Sequence, residues 1–247
     1  MDSMETITVP ETLHGYPGVA FGGYVAGLLA GRLAAGAEAV RVDFRRPVPT
    51  GTAVRLDPDA AGGAALFDGD GVLLASASAV AAPGGEVPGA PSWAEASKAA
   101  DAYRADPPAG QVDCFGCGLG RTPATGLRLH CGPVPGRDLV ATAWTPDAGL
   151  LDGDGLLPPE LAWAALDCPG NAAGRLLGGG RPAGAVTASL AGRLLRPVPA
   201  AAGLVSYAWL LGAEGRKYTV GTALATAGGE LCAVGEALWI HPRQPHA

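Results

Sequence analysis

The sequence predicts an α+β protein built twice from one plan. Three observations carry this reading. Two apolar stretches with helical spacing lie in the two halves of the chain, at Phe21 to Ala35 and at Pro158 to Leu177. Each is followed by four short runs in which apolar and polar residues alternate, the period of a half-buried strand. The segment Arg-Pro-Val-Pro occurs twice, at Arg46 to Pro49 and Arg196 to Pro199, each time where the first run after a helix ends. A repeat of about 120 residues means duplicated domains rather than a solenoid. The 247 residues have room for two such units.

Composition narrows the class. Hydrophobic residues make up 48% and charged residues 16%, which is globular. The 39 glycines and 22 prolines punctuate alternating runs, so they read as turns. A net charge of −6 disfavours nucleic acid as a partner. Val19 to Ala35 is too short and too rich in Gly for a membrane span, and it contains Arg32. Met1 to Pro10 lacks the basic and apolar regions of a secretory leader. Five cysteines, an odd count, then suggest reduced thiols in a cytoplasm.

Taken in order, Thr6 to Pro10 is a first short strand, and Leu13 to Gly18 a loop containing His14. The helix Phe21 to Ala35 opens on Gly22-Gly23 and carries Val25, Leu28, Leu29 and Leu33 at helical spacing. Glycine lets the backbone approach a ligand closely, and the N–H groups of a helix start suit an oxyanion. Strands follow at Ala39 to Phe44, Thr52 to Asp57, Ala64 to Asp68 and Gly71 to Ala81. The Asp68-Gly69 and Asp70-Gly71 pairs turn the last two into a hairpin. The expected organisation is a first repeat at 1–85, a linker at 86–110 and a second repeat at 111–247. Ser92 to Arg104 is a short helix candidate within the linker. The second repeat gives strands at Leu127 to Cys131, Leu139 to Thr145, Ala185 to Leu195, Leu204 to Leu211, Lys217 to Ala225 and Leu231 to Ile240.

The stretch from Pro158 to Leu177 stands out. Two prolines open it, where missing N–H groups cost nothing, and Glu160 suits the positive end of the helix dipole. Asp167-Cys168-Pro169-Gly170 then interrupts it, and proline inside a helix kinks the axis. Asp167 is a carboxylate on a helix otherwise made of Leu, Ala and Trp.

The segments Phe21-Gly22-Gly23-Tyr24, Phe44 to Pro49, Cys114 to Leu129, Ala165 to Gly170 and Leu194 to Pro199 resemble the hotdog-fold superfamily, specifically acyl-CoA thioesterase-like double hotdogs. The resemblance implies two antiparallel sheets, each wrapped around a central helix, with the halves side by side as a pseudo-dimer. It implies hydrolysis of an acyl-CoA or acyl-carrier thioester without a cofactor or metal. The alternative is a non-catalytic double hotdog that binds an acyl or aromatic molecule. Such paired hotdogs also associate through sheet edges, so a homodimer is expected.

In the family, His-Gly-Gly opens the central helix, and the acid lies eight positions after the first glycine. Here the first half keeps Gly22-Gly23 but has Ala30 at the acid's position. The second half has Pro158-Pro159-Glu160 in place of the glycines, and Asp167 lies eight positions after Pro159. The halves are complementary, and the resemblance implies one composite site.

Asp167 is the expected base or nucleophile, and burial beside Trp163 and Leu166 is expected to raise its pKa. The amides of Gly22 or Gly23 are the expected oxyanion donors. His14 is a candidate to orient the thioester. Asn171, one turn beyond Asp167, is a substrate contact, Glu160 a rival acid, and Tyr24 and Trp163 pocket or core walls. Arg45, Arg46 and Arg196 are candidates for CoA phosphates. Cys114-x-x-Cys117 invites zinc, but zinc needs four ligands and no second CxxC or close His pair follows. No Walker A or GxSxG motif is present.

Overall fold

The computed structural model describes residues 5–33, 36–58, 62–110, 112–181 and 183–243. The first half contains β1 (Glu5–Thr8), α1 (Gly22–Ala30), β2 (Ala39–Phe44), β3 (Ala53–Pro58), β4 (Ala64–Phe67) and β5 (Leu73–Val80). Helix α2 (Trp93–Ala105) follows. The second half contains β6 (Gly132–Pro133), β7 (Val140–Trp144), β8 (Leu156–Leu157), α3 (Pro159–Ala164), α4 (Cys168–Leu176), β9 (Val186–Leu194), β10 (Val198–Pro199), β11 (Leu204–Glu214), β12 (Lys217–Thr226) and β13 (Leu231–Ile240).

The expectation of two sheets needs correction. Eleven strands form one antiparallel sheet in the order β1-β3-β4-β5-β2-β9-β13-β12-β11-β7-β6. The halves join where β2 pairs β9, Val40 against Gly192 through Asp43 against Ser189. In separate halves these two strands would be edges with rows of open N–H and C=O groups; pairing satisfies them. Arg41 adds a bond from Nη2 to the Ser189 hydroxyl at 2.9 Å.

The repeated Arg-Pro-Val-Pro segment has the same task in both halves. Val48 accepts from the Ala20 N–H at 2.8 Å, and Val19 bridges Pro49. Val198 and Pro199 pair Leu157 and Leu156. Both valines are buried. Each segment therefore latches the chain entering a helix onto the end of the strand that follows that helix.

Two expected elements differ. Leu127 to Cys131 pairs in no strand ladder. Arg128 has φ 57, outside the extended region, and the segment instead donates to the loop before it, Leu127 to Phe115 and Leu129 to Gly116, both at 2.8 Å. The helix predicted from Phe21 ends at Ala30, followed by turn residues through Leu33; positions 34 and 35 lie outside the described residues.

Helix α2 is a firm element inside the expected linker. Ser92 and Glu95 form a reciprocal capping box at its start. Ala96, Ala99, Ala100 and Tyr103 are buried, and Ala96 and Ala99 share a cluster with Val205, Tyr207 and Ala223 on strands β11 and β12. Strand β12 is buried on both faces, with Val220 and Leu224 in the main core and Ala223 and Ala225 in the second cluster, which α2 joins. Replacing Ser92 with alanine removes the cap and is expected to cost about 1 kcal/mol in urea unfolding.

Candidate active site

The predicted long helix 158–177 is two helices. Helix α3 ends at Ala164 and α4 begins at Cys168, so Pro169 sits in a first turn, where its missing N–H is harmless. The break still strands a carbonyl, because Pro169 has no N–H for the Ala165 oxygen four residues before it. The fully buried Ser206 hydroxyl donates to that oxygen at 2.8 Å from β11. Ser206→Ala leaves a buried carbonyl without this donor and is expected to lower stability by about 1–3 kcal/mol, readable by chemical denaturation.

Asp167 lies at the break, 2% exposed. The Gly23 N–H of helix α1 donates to its Oδ2 at 2.9 Å, and the Thr187 hydroxyl of β9 donates to its Oδ1 at 2.8 Å. Burial pushes its pKa up to about 7, with the nearby Cys114 adding to the rise; the Thr187 and Gly23 bonds work against it. The two halves thus meet at this carboxylate.

They meet closely because α1 presents glycines, Gly23 and Gly27, where α3 crosses it. A Cβ on Gly23 would stand 2.7 Å from Asp167 Cβ and 2.8 Å from Ala164 Cα; one on Gly27 would stand 2.6 Å from Glu160 Cα. From the sequence, Gly23 is expected to act through its helix-start amide, and Gly27 lies inside the helix without a task. Gly23 and Gly27 are packing residues one helical turn apart, and that i, i+4 spacing is the signal that marks them. Gly170 and Gly174 repeat the spacing on α4, lying against Trp239 and Tyr218.

A cavity of about 490 Å³ opens beside Asp167. Gly22, Asn171 and Thr187 line it with the carboxylate, and Phe21, Val186, Trp239 and Ile240 give it apolar wall. Arg45 and Arg46, both exposed, also border it.

The expected residues divide clearly. Asp167, Gly22, Gly23 and Asn171 come together. His14 does not line the cavity: its Nδ1 lies 2.8 Å from the Glu11 carbonyl and its Nε2 2.9 Å from Arg121 Nη2. Tyr16, two residues further along the loop, lines the cavity instead, and its hydroxyl donates to the Ala185 carbonyl at 2.9 Å. Burial pushes the Tyr16 pKa up to about 12, with the cluster of cysteines adding to it. Trp163 is buried in the core against Gly192. Glu160 stands at the α1–α3 crossing, and Tyr24 is half-buried near its charge; neither lines the cavity. Thr187 was not foreseen, because threonine is ordinary in a strand and nothing local marks it.

Cys114 and Cys117 do not stand alone. Cys168, at the start of α4, brings a third sulfur, and the three lie within 4.8 Å of one another. Hydrogen bonds from Cys117, Cys168 and the Gly116 amide hold the Cys114 thiol well below the usual thiol range, while their bonds to Cys114 help push Cys117 and Cys168 up.

No family model and no curated protein matches the sequence. Solved structures do match in shape. A tesB protein of Mycobacterium avium subspecies paratuberculosis superposes with a TM-score of 0.60 at 17% identity, over 98% of this chain and 96% of that one. An acyl-CoA thioesterase II of Mycobacterium marinum gives 0.55 at 16%, over 98% and 96%. A protein with a hot dog fold from Alicyclobacillus acidocaldarius gives 0.54 at 14%, over 98% and 97%. Likeness at these identities shows the fold. Among the described residues, no helix is long and apolar enough to cross a membrane.

Proposed function

We propose that this hotdog-fold chain hydrolyses an acyl thioester, carried by CoA or an acyl carrier, at one composite site between its halves. The observation that supports it most is the buried Asp167 of the second half, gripped by the Gly23 amide of the first and facing a cavity with an apolar wall. Each carboxylate oxygen has two lone pairs, so one remains on each for a water molecule.

Asp167 takes a proton from that water as its oxygen attacks the thioester carbonyl. The Gly23 N–H is committed to Asp167, so the oxyanion donor is the Gly22 N–H, at the start of α1 where first-turn amides have no intrahelical acceptor. One such donor is worth roughly 3 kcal/mol of barrier. The carbon–sulfur bond then breaks, and the proton on Asp167 passes to the leaving thiolate. The acyl chain lies along Phe21, Val186, Trp239 and Ile240. Arg45 and Arg46, exposed and bordering the cavity, meet phosphates of the carrier.

The experiment is thiol release from a panel of acyl-CoAs, wild type against Asp167→Asn. Turnover by the wild type that the substitution abolishes supports the reading. Turnover that survives the substitution removes Asp167 from the mechanism. One observation favours a non-catalytic binder: both oxygens of Asp167 already accept a hydrogen bond. Tight binding of acyl-CoA without release of thiol from any substrate would select that reading.

A further inference from the structure

We infer that Cys114, Cys117 and Cys168 form a three-thiolate site for a zinc ion, with the fourth coordination position open to the cavity. The inference is independent of whether the chain hydrolyses thioesters.

Sulfur spacing is the first support. Sulfurs bound at about 2.3 Å to one tetrahedral zinc lie about 3.8 Å apart. The Cys114 and Cys168 sulfurs are 3.7 Å apart, and Cys117 falls within the same 4.8 Å set. A disulfide would need about 2.05 Å.

The loop around the sulfurs is the second. Gly116 N–H donates to Cys114 Sγ at 3.2 Å, the bond that orients and stabilises a metal-bound thiolate. Gly118 N–H closes the turn on the Cys114 carbonyl at 2.7 Å. Neither glycine has room for a side chain: a Cβ on Gly116 would stand 2.5 Å from Cys168 Sγ, and one on Gly118 2.6 Å from the Cys114 carbonyl oxygen. The loop is shaped to bring its sulfurs to the third one.

Cys168, the first residue of the nine-residue α4, supplies the third sulfur from a fixed helical position. Three thiolates leave one negative charge on a zinc complex, and Arg175 lines the same cavity as the three cysteines. All-sulfur ligation by three groups selects a borderline-soft ion such as zinc over magnesium or calcium. Three protein ligands with an open fourth position is also the arrangement of a zinc that binds a water or an exogenous ligand. The CxxC pair alone could not reveal this, because its third partner lies 54 residues beyond Cys114 and carries no spacing signature.

The test uses the whole chain, stripped with a chelator under reductant and titrated with cobalt(II). The expected result is one equivalent bound, with an intense thiolate-to-cobalt charge-transfer band and the red d–d bands of a tetrahedral ion, both erased by zinc. Cys117→Ser is expected to weaken cobalt binding at least tenfold, while Cys232→Ser, remote from the cluster, leaves it unchanged. No tetrahedral cobalt spectrum from the fully reduced chain would overturn the inference, as would equal binding by Cys117→Ser. If that variant misfolds by circular dichroism, the wild type alone decides: zinc must slow alkylation of Cys117, and unprotected alkylation overturns the site. Two missing thiols recovered only by reductant, with no cobalt spectrum afterwards, would mean a disulfide pair instead.

Discussion

Asp167→Asn is expected to lower kcat for thioester hydrolysis by about 10²–10⁴-fold, the usual contribution of a positioned general base. The substitution is clean because asparagine fits the two partners. Its oxygen can accept from the Gly23 N–H, and its amide can donate to the Thr187 hydroxyl, which rotates to accept. The bonds persist while the proton acceptor is lost. Burial disfavours the charged carboxylate, so the neutral amide is expected to leave Tm unchanged or raise it. Steady-state kinetics with a thermal melt separate these effects. A fall in kcat that tracks a fall in Tm would mean that the loss is structural. Thr187→Val offers a graded comparison: it removes one donor and keeps the base, so a smaller fall is expected.

Gly27→Ala is expected to destabilise the fold by about 1–3 kcal/mol, the cost of overpacking a tight contact. The sign is the informative part. In a helix interior this change normally stabilises by roughly 0.5–1 kcal/mol. Here the new Cβ would meet Glu160 Cα at 2.6 Å, Trp163 Cβ at 2.9 Å and the Glu160 carbonyl at 3.0 Å. Two of those atoms are backbone, so no side chain can swing aside. The helices must separate, at about 2–4 °C of Tm per kcal/mol for a chain of this size. Separation also draws the Gly23 amide from Asp167, so activity is expected to fall although the carboxylate is untouched. Gly31→Ala is the control. Gly31 ends the same helix with ordinary helical φ, and its Cβ would find nothing nearer than 3.5 Å. A melt in which both variants match wild type would refute the close-packed crossing.

Much of this arrangement was legible in the residues because it repeats. Alternation placed Ala39–Phe44 and Leu231–Ile240 to the residue, since strand period is local information. The duplicated Arg-Pro-Val-Pro marked the chain as two repeats, and the resemblance to hotdog thioesterases implied that Asp167 works with Gly22-Gly23. What depended on the third dimension was not legible. Pairing of β2 with β9 joins strands about which each half is silent, so two sheets were expected where one forms. His14 is captured by Arg121, a partner 107 residues away. Leu127 to Cys131 has a strand's composition, but its amides find the Cys114 loop first. The i, i+4 spacing of Gly23 and Gly27 marks a close-packed face of α1, but only the fold shows that α3 is what crosses it.

The β2–β9 seam and the α1–α3 crossing join parts of one polypeptide, and this has a consequence for behaviour at low concentration. A site shared between two separate chains dissolves on dilution, and its specific activity drops with it. Here each half is the other's tethered neighbour, held at an effective concentration that the bulk concentration does not alter. Specific activity of this chain should therefore stay level through serial dilution. The tether also frees the halves from being identical: the first keeps its glycines without an acid, and the second keeps its acid without the glycines.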